Sequence, residues 1–416
     1  MFGFKKKDSD EEFNEGMNSG LSAADDFLKK DAANNGETAK NGAAGGTEEG
    51  KEEVSEELNQ LSHDGYRLYK AGDYVTSREK FRKLLELDPT NQYGLVGLGD
   101  IARKENKIDV AIKYYSECLE HHKENKYAII GLADAYRDIR LYDKAIGLWE
   151  HFLALYAPDI TVLTRLADAY RKTGNFESSK KFYLRVFDLE PNNTYALTGI
   201  GYLFFDNKKY DLALTYWNKM LELEPNNLKI LTTIGNCHRK KKTFEKGKEY
   251  FLRALDIVPD NFYALYGLAD CYRGLEEHEQ SKGVWEKLLT MSPNNKVIMT
   301  RLADALRNIG ELDEALKYYE RALGIDHDYY AEFGMSLIYK EKGDYRKAIE
   351  MMRGLYKDGE PNLRLAYEIA ECFIEMGQRE KAYNELNRVL AQLDNKDAAG
   401  PDVVELYREL SKEFAN

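Results

Sequence analysis

Residues 262–295 read FYALYGLADCYRGLEEHEQSKGVWEKLLTMSPNN. Two small residues stand out in this stretch, Ala269 behind Leu268 and Ser281, and Trp285 follows Ser281 by four positions. Residues four apart on a helix share a face, so the ring and the small residue present one contact surface. Pro293 closes the stretch in a polar turn, where its missing N–H and fixed φ stop one helix and let another begin. The stretch therefore predicts two antiparallel helices that touch where the side chains are small.

The same pattern runs along the chain with a period of 34. Pro89, Pro191, Pro225, Pro259 and Pro293 are separated by multiples of it, each at or beside a turn such as Leu87-Asp88-Pro89-Thr90-Asn91. Gly99, Ala133, Ala167, Gly201, Gly235, Ala269 and Ala303 form one small series, each behind Leu or Ile. Ser77, Ala111, Ala145, Ser179, Ala213, Gly247, Ser281 and Ala315 form another. Four residues beyond the second series stand Phe81, Tyr115, Trp149, Tyr183, Trp217, Phe251, Trp285 and Tyr319. A large ring opposite a small residue is how packed helices interdigitate. These positions resemble the tetratricopeptide repeat: a Leu-Gly or Leu-Ala pair, an Ala or its small equivalent, an aromatic and a Pro at fixed spacing.

The register yields ten copies starting near 58, 92, 126, 160, 194, 228, 262, 296, 330 and 363, with one residue lost in the ninth. The resemblance weakens at the ends, where copy one has Asp64-Gly65 for Leu-Gly and copies nine and ten carry Met352 and Leu386 at the aromatic position. Terminal copies have one unstacked face, which suits such departures. A longer beat of 68 is visible in Trp149, Trp217 and Trp285, so the duplicated unit reads as a pair of copies. Pro401 opens a last amphipathic segment with Val403, Leu406, Tyr407, Leu410 and Phe414 on one face, suited to capping the array. The expected architecture is all-α: a tail over 1–57, ten repeats over 58–396 and a capping helix over 397–416. Resemblance adds that the solenoid is right-handed and superhelical.

Composition bounds the function. The chain has 60 Lys+Arg and 72 Asp+Glu, a formal charge of −12, which excludes polyanion binding driven by bulk charge. Residues 1–57 alone carry a net −8, are rich in Gly, Asn, Ala and Ser, and hold too few large apolar groups to offset the entropy of ordering them. Disorder is expected there, with one helical spacing at Phe13, Met17, Leu21, Ala24 and Leu28 inside it. No apolar run follows Lys5-Lys6-Lys7 to make a secretory signal, and Gly3 is one position too late for myristoylation. No stretch approaches the ~18 apolar residues of a membrane span. Four cysteines without paired spacing fit a reducing compartment, and a soluble, cytoplasmic protein is expected.

In tetratricopeptide proteins the first helix of each copy lines the concave side, so the resemblance implies a binding surface there. One position after the small residue stand Asp100, Asp134, Asp168, Asn236, Asp270 and Asp304, and three further on Arg103, Arg137, Arg171, Arg239, Arg273 and Arg307. Such neighbours can pair within a copy or across to the next, as a solvated ladder of little stability, or can bind the amides, carbonyls and termini of an extended polypeptide. Tyr93, Tyr127, Tyr195 and Tyr263 precede the acid by seven positions, and Thr164, Thr198, Thr232 and Thr300 by four. Tyrosine offers rigid contact area, though repeat packing also uses it. Copy five replaces both charged rows with Tyr202 and Phe205, which predicts an apolar patch. The carboxylate clamp of chaperone adaptors needs Asn and Lys; only Asn236 matches, its companion is Thr232, and Asp elsewhere would repel a carboxylate.

Other signals carry less. Gly94, Gly97 and Gly99 coincide with repeat positions and follow no strand, so packing explains them better than phosphate binding. Cys118 with His121 and His122 reads as a solvated helix end, and Cys237, Cys271 and Cys372 as small core residues. Arg239-Lys240-Lys241-Lys242 sits where cations suit a helix C-terminus. No catalytic motif, cofactor or nucleic acid is implied. The expected function is a non-catalytic scaffold or adaptor for protein or peptide partners; the alternative is an accessory subunit presenting substrate to an enzyme or secretion machine. Oligomeric state stays open.

Overall fold

A computed structural model describes residues 48–356, 362–392 and 400–414, with side chains described from residue 54. Every regular element among them is a helix. Copy by copy, in chain order, they are α1 (Glu48–Lys70) and α2 (Tyr74–Leu87), α3 (Gln92–Lys104) and α4 (Ile108–His121), α5 (Lys126–Asp138) and α6 (Tyr142–Leu155), α7 (Ile160–Lys172) and α8 (Phe176–Leu189), and α9 (Thr194–Asp206) and α10 (Tyr210–Leu223). Then come α11 (Leu228–Lys240) with α12 (Phe244–Ile257), α13 (Phe262–Gly274) with α14 (His278–Met291), α15 (Lys296–Asn308) with α16 (Leu312–Leu323), α17 (Tyr329–Glu341) with α18 (Tyr345–Gly354), α19 (Leu363–Glu375) with α20 (Arg379–Leu390), and α21 (Pro401–Phe414).

Local chemistry sets these boundaries. The first helix of most copies opens on an Asn or Asp whose side-chain oxygen accepts from backbone N–H groups of the first turn: Asn91 from Tyr93 and Gly94, Asn125 from Tyr127 and Ala128, Asn261 from Ala264. Such caps contribute about 1 kcal/mol each. The turn between the helices of a copy always passes through one left-handed residue, from Gly72 and Asn106 to Gly343 and Gly377. That residue releases the chain from the first helix, and a side chain there costs strain that Gly avoids.

Two sequence expectations are corrected here. The lost residue lies ahead of copy nine: α16 is short, and α17 opens at Tyr329, capped by Asp328. The first helix begins at Glu48, so the boundary at 57 falls inside it. The rest of the expected tail, including Phe13 to Leu28, lies outside the described residues.

The chain divides into two compact units, one ending at Tyr216 and one starting at Trp217, with the division inside α10. Within the units the two helices of a copy pack on each other, the second packs on the first helix of the next copy, and several successive first helices touch, α1 with α3, α3 with α5, α7 with α9, α11 with α13 and α15 with α17. Each unit thus has a face made of first helices. In the second unit α21 packs on α20, with Val403 and Leu410 in the core and Leu406 and Tyr407 against it. Phe414 lies 6.2 Å from Tyr383, completing the expected capping face.

The aromatic row explains both periods. Phe81, Tyr115, Trp149 and Tyr183 in the first unit, and Trp217, Phe251, Trp285 and Tyr319 in the second, are fully buried. Removing such a side chain from water stabilises by about 1.5–3 kcal/mol. Tyr115 is clasped from two sides: a Cβ on Gly99 of its own copy would lie 2.6 Å from its ring, and one on Gly131 of the next copy 2.5 Å. Gly97 stands in the same way against Phe81, Gly199 against Tyr183, Gly267 against Phe251 and Gly334 against Tyr319. After a tryptophan the sixth residue of the next first helix is not glycine: Trp149 is followed by Arg165, Trp217 by Thr233 and Trp285 by Arg301. The 68-residue beat is this alternation of Tyr or Phe on Gly with Trp and a longer side chain.

Candidate functional site

The Asp and Arg rows lie on the first-helix faces, but they do not form one uniform ladder. In the first unit Asp134 is 1% exposed and is ringed by three arginines: Arg165 Nη1 at 2.9 Å, Arg103 Nη1 at 3.2 Å and Arg137 Nη1 at 3.4 Å. Asp138 supports the cluster, taking Arg103 Nε at 2.7 Å and Arg137 Nη2 at 3.1 Å. Burial alone would raise the Asp134 carboxyl, but Arg165, Arg137 and Arg103 hold it below the usual range. Burial pushes the Arg165 guanidinium down to about 10, and its Nε and Nη2 find no acceptor among the described residues.

Asp100 follows another course. It accepts from Tyr115 Oη at 2.6 Å, and burial lifts its carboxyl to about 6. Asp168 accepts from Arg171 Nε and Nη2, while Arg171 Nη1 reaches Asp206 at 2.8 Å. Copy five forms no open apolar patch. Tyr202 and Phe205 are half-buried, Tyr202 beneath the Arg171 guanidinium at 5.7 Å and Phe205 edge-on to Tyr210 at 5.4 Å.

In the second unit Asp270 is shared between Arg239, from the preceding copy, and Arg273 Nη2 at 3.2 Å. Asp304 pairs with neither row partner: it accepts from Tyr319 Oη at 2.7 Å and from Arg301 Nη1 at 3.2 Å, and Arg307 turns to Glu341 at 2.6 Å. Asn236 is half-buried on α11. Around Arg273, Arg301, Arg307 and Arg364 opens a cavity of about 480 Å³ whose apolar lining includes Phe333 and Leu337.

The threonines are not offered to a partner. Thr164 and Thr300 are buried and donate to the Ile160 and Lys296 carbonyls, and Thr232 donates to the Lys229 carbonyl. This back-bonding satisfies the hydroxyl within its own helix. The tyrosines divide: Tyr93 and Tyr127 are half-buried against the core, whereas Tyr195 is 40% and Tyr263 54% exposed. Tyr330, at the same place in copy nine, is 42% exposed. Among residues set aside, Cys118 is a core side chain whose thiol burial raises to about 12, and His122 Nε2 bonds the Thr90 carbonyl.

Arg165, Arg301, Arg364 and Asp138 belong to the site and fall outside the rows read from sequence. A signal for the first two exists in the repeated Thr-Arg-Leu-Ala-Asp-Ala at 164–169 and 300–305.

Tetratricopeptide repeat models match residues 65–120, 96–159, 160–193, 228–261, 263–295, 298–329 and 339–400. The chain belongs to the tetratricopeptide repeat family. No curated protein matches it. Among solved structures it is similar to YrrB, a TPR protein with an unusual peptide-binding site, at 22% identity over 45% of this chain and 96% of that one, with a TM-score of 0.39. It is also similar to Pseudomonas aeruginosa pilF, at 20% identity over 52% and 97%, TM-score 0.43. Yeast Tom70 aligns at 12% identity over 86% and 96%, TM-score 0.40. The repeat matches and the stacked helix pairs make the fold a TPR α-solenoid, and no helix among the described residues is long and apolar enough to cross a membrane.

Proposed function

We propose that this TPR chain is a non-catalytic binding protein that takes protein partners, as extended segments, on its first-helix faces, and so acts as a scaffold or adaptor. The observation that carries the reading is the split among its rings. Every aromatic of the second-helix row from Phe81 to Tyr319 is fully buried, whereas Tyr195 in the first unit and Tyr263 and Tyr330 in the second keep about half of their surface in water. Tyr263 stands on the helix that carries Asp270 and Arg273, and Tyr195 and Tyr330 stand at the same place on first helices of other copies. Rigid rings beside guanidinium forks suit a polypeptide, whose carbonyls and carboxylates accept hydrogen bonds and whose side chains cover the rings.

The test places a photo-crosslinking benzoylphenylalanine in the full chain at Tyr195 or Tyr263, and at Leu184 or Leu252 on the second helices, which are similarly exposed. Partner adducts should form from the two tyrosine positions and not from the leucines. Adducts confined to the leucine positions would refute the reading. Charge reversal of Arg137 is a poor probe of binding, since it would leave the buried Asp134 beside a second acid and destabilise the fold.

A further inference from the structure

The cavity on the first-helix face of the second unit has a chemistry of its own. We infer that it holds a carboxylate side chain, Asp or Glu, of a partner's extended segment. The inference deepens the proposed function and rests on it.

Hydrogen-bond accounting within the walls leads to this ligand. Both oxygens of Asp304 are taken, one by Tyr319 and one by Arg301. Asp270, just behind, is likewise filled by Arg239 and Arg273. The guanidiniums keep donors in excess, since each offers five N–H groups. Arg273 spends Nε and Nη2 on the single oxygen Asp270 Oδ1, and its side chain is 42% exposed. Arg307 gives Nη1 to Glu341 and leaves Nε without a partner. Arg364 lies over the Phe333 ring at 4.6 Å and is exposed, and no carboxylate pairs with it among the described residues. A guanidinium so placed has N–H donors for a fork-like contact with two oxygens.

Glu276 is the one acid of the lining whose oxygens no wall residue occupies, and it stands exposed on the left-handed residue of its turn. The walls are therefore rich in donors and short of acceptors, which a carboxylate complements and an ammonium does not. The lining comes from copies seven to ten, through α13 and its following turn, α15, α17 and α19. A segment that meets four successive copies crosses the site, so the acid is a side chain with polypeptide on both sides rather than a chain terminus.

The test pans the full chain against random dodecapeptides displayed internally. The best binder is then synthesised with acetylated and amidated ends and titrated by fluorescence anisotropy. Recovered peptides should share an internal Asp or Glu. Replacing that acid by its amide should weaken binding at least tenfold. R364E should do the same with unchanged helicity and melting, because Arg364 is exposed, and should regain affinity for the peptide carrying Lys at the acidic position. R364A is the milder companion and should weaken binding without charge repulsion. Peptides that bind without needing the acid, that ignore both Arg364 variants, or that bind only with a free C-terminus overturn the inference while leaving the binding face intact. Recovery of no peptide at all removes the proposed function, and this inference with it.

Discussion

The octapeptides at 164–171 in the first unit and 300–307 in the second are the same but for one residue, Tyr170 against Leu306. Yet the Arg165 side chain is 1% exposed and clamped on Asp134, while Arg301 is 19% exposed, bonds Asp304 and lines a cavity. A difference lies one copy earlier. In the first unit Asp138 takes one N–H from Arg103 and one from Arg137, while Asp134 Oδ2 is shared by Arg103 and Arg165. The equivalent of Asp138 in the second unit is Gly274, packed against the Phe244 ring. Arg239 and Arg273 share Asp270 there, and Arg301 bonds Asp304. The same arginine is a buried tie in one unit and the wall of a cavity in the other, and Asp138 against Gly274 is the difference beside it.

The largest effect should come from breaking the tie itself. D134A leaves three guanidiniums crowded in a buried space and should cost ~3–5 kcal/mol, whereas replacing Asp134 and Arg165 together by Leu and Met should recover most of it. Hydrogen exchange across α3 to α7 reads this locally, which suits a repeat array whose unfolding need not be two-state. G267A tests the alternation from the other side. Its Cβ would fall 2.1 Å from the Phe251 ring, so overpacking should cost ~1–3 kcal/mol. The same residue type change at Gly283, where a Cβ meets nothing, should leave stability unchanged or slightly raised.

Asp100 sharpens the contrast between neighbouring acids through pH. Burial holds its folded value at about 6 against an ordinary 3.8, so the native state binds the proton more tightly than the unfolded chain does. Its contribution is therefore most favourable below the unfolded value and is lost as pH rises through 4 to 6, the reverse of Asp134, whose lowered carboxyl adds stability above its unfolded value. Against wild type, D100N should gain on the order of 1–2 kcal/mol between pH 4 and 7, after discounting for its partial exposure. Denaturant titrations at both pH values check the slope, and an equal gap at each would show that Asp100 ionises normally.

The smallest effect comes from converting one region into the other. G274D, with F244I to make room, restores the missing acid, so Arg301 should swing toward Asp270 and the cavity should narrow. Affinity for an acidic, capped peptide should fall severalfold, under about 1 kcal/mol, with a fold as stable as before. An Arg301 side chain still bonded to Asp304 in the variant's structure would show that Asp138 is not the deciding residue.

The repeat was legible because its cause is local and periodic. Ala133 and Tyr115 are small and large for reasons that recur every 34 residues, so the row of buried rings, the ten helix pairs and the capping face of Val403 and Leu410 follow from counting. The Asn caps from Asn91 to Asn362 obey the same count. Within the site, Tyr195 and Tyr263 stand exposed, whereas Thr164 and Thr300 turn back on their own helices, an option every mid-helix threonine has. Arg165 and Arg301 escaped because they break the 34-residue period: they stand where five other copies, from Gly97 to Gly334, carry Gly.

From residues alone come the period, the helix ends and the identity of the charged rows, since spacing, propensity and side-chain size act within a few turns of chain. Which carboxylate each arginine holds is settled only when copies are stacked, because Asp134 and Asp270 sit in the same local sequence and differ in what the adjoining helices bring within 3 Å or so. Tertiary packing thus chose between an ion cluster around a buried Asp134–Arg165 pair and a cavity lined with spare N–H donors.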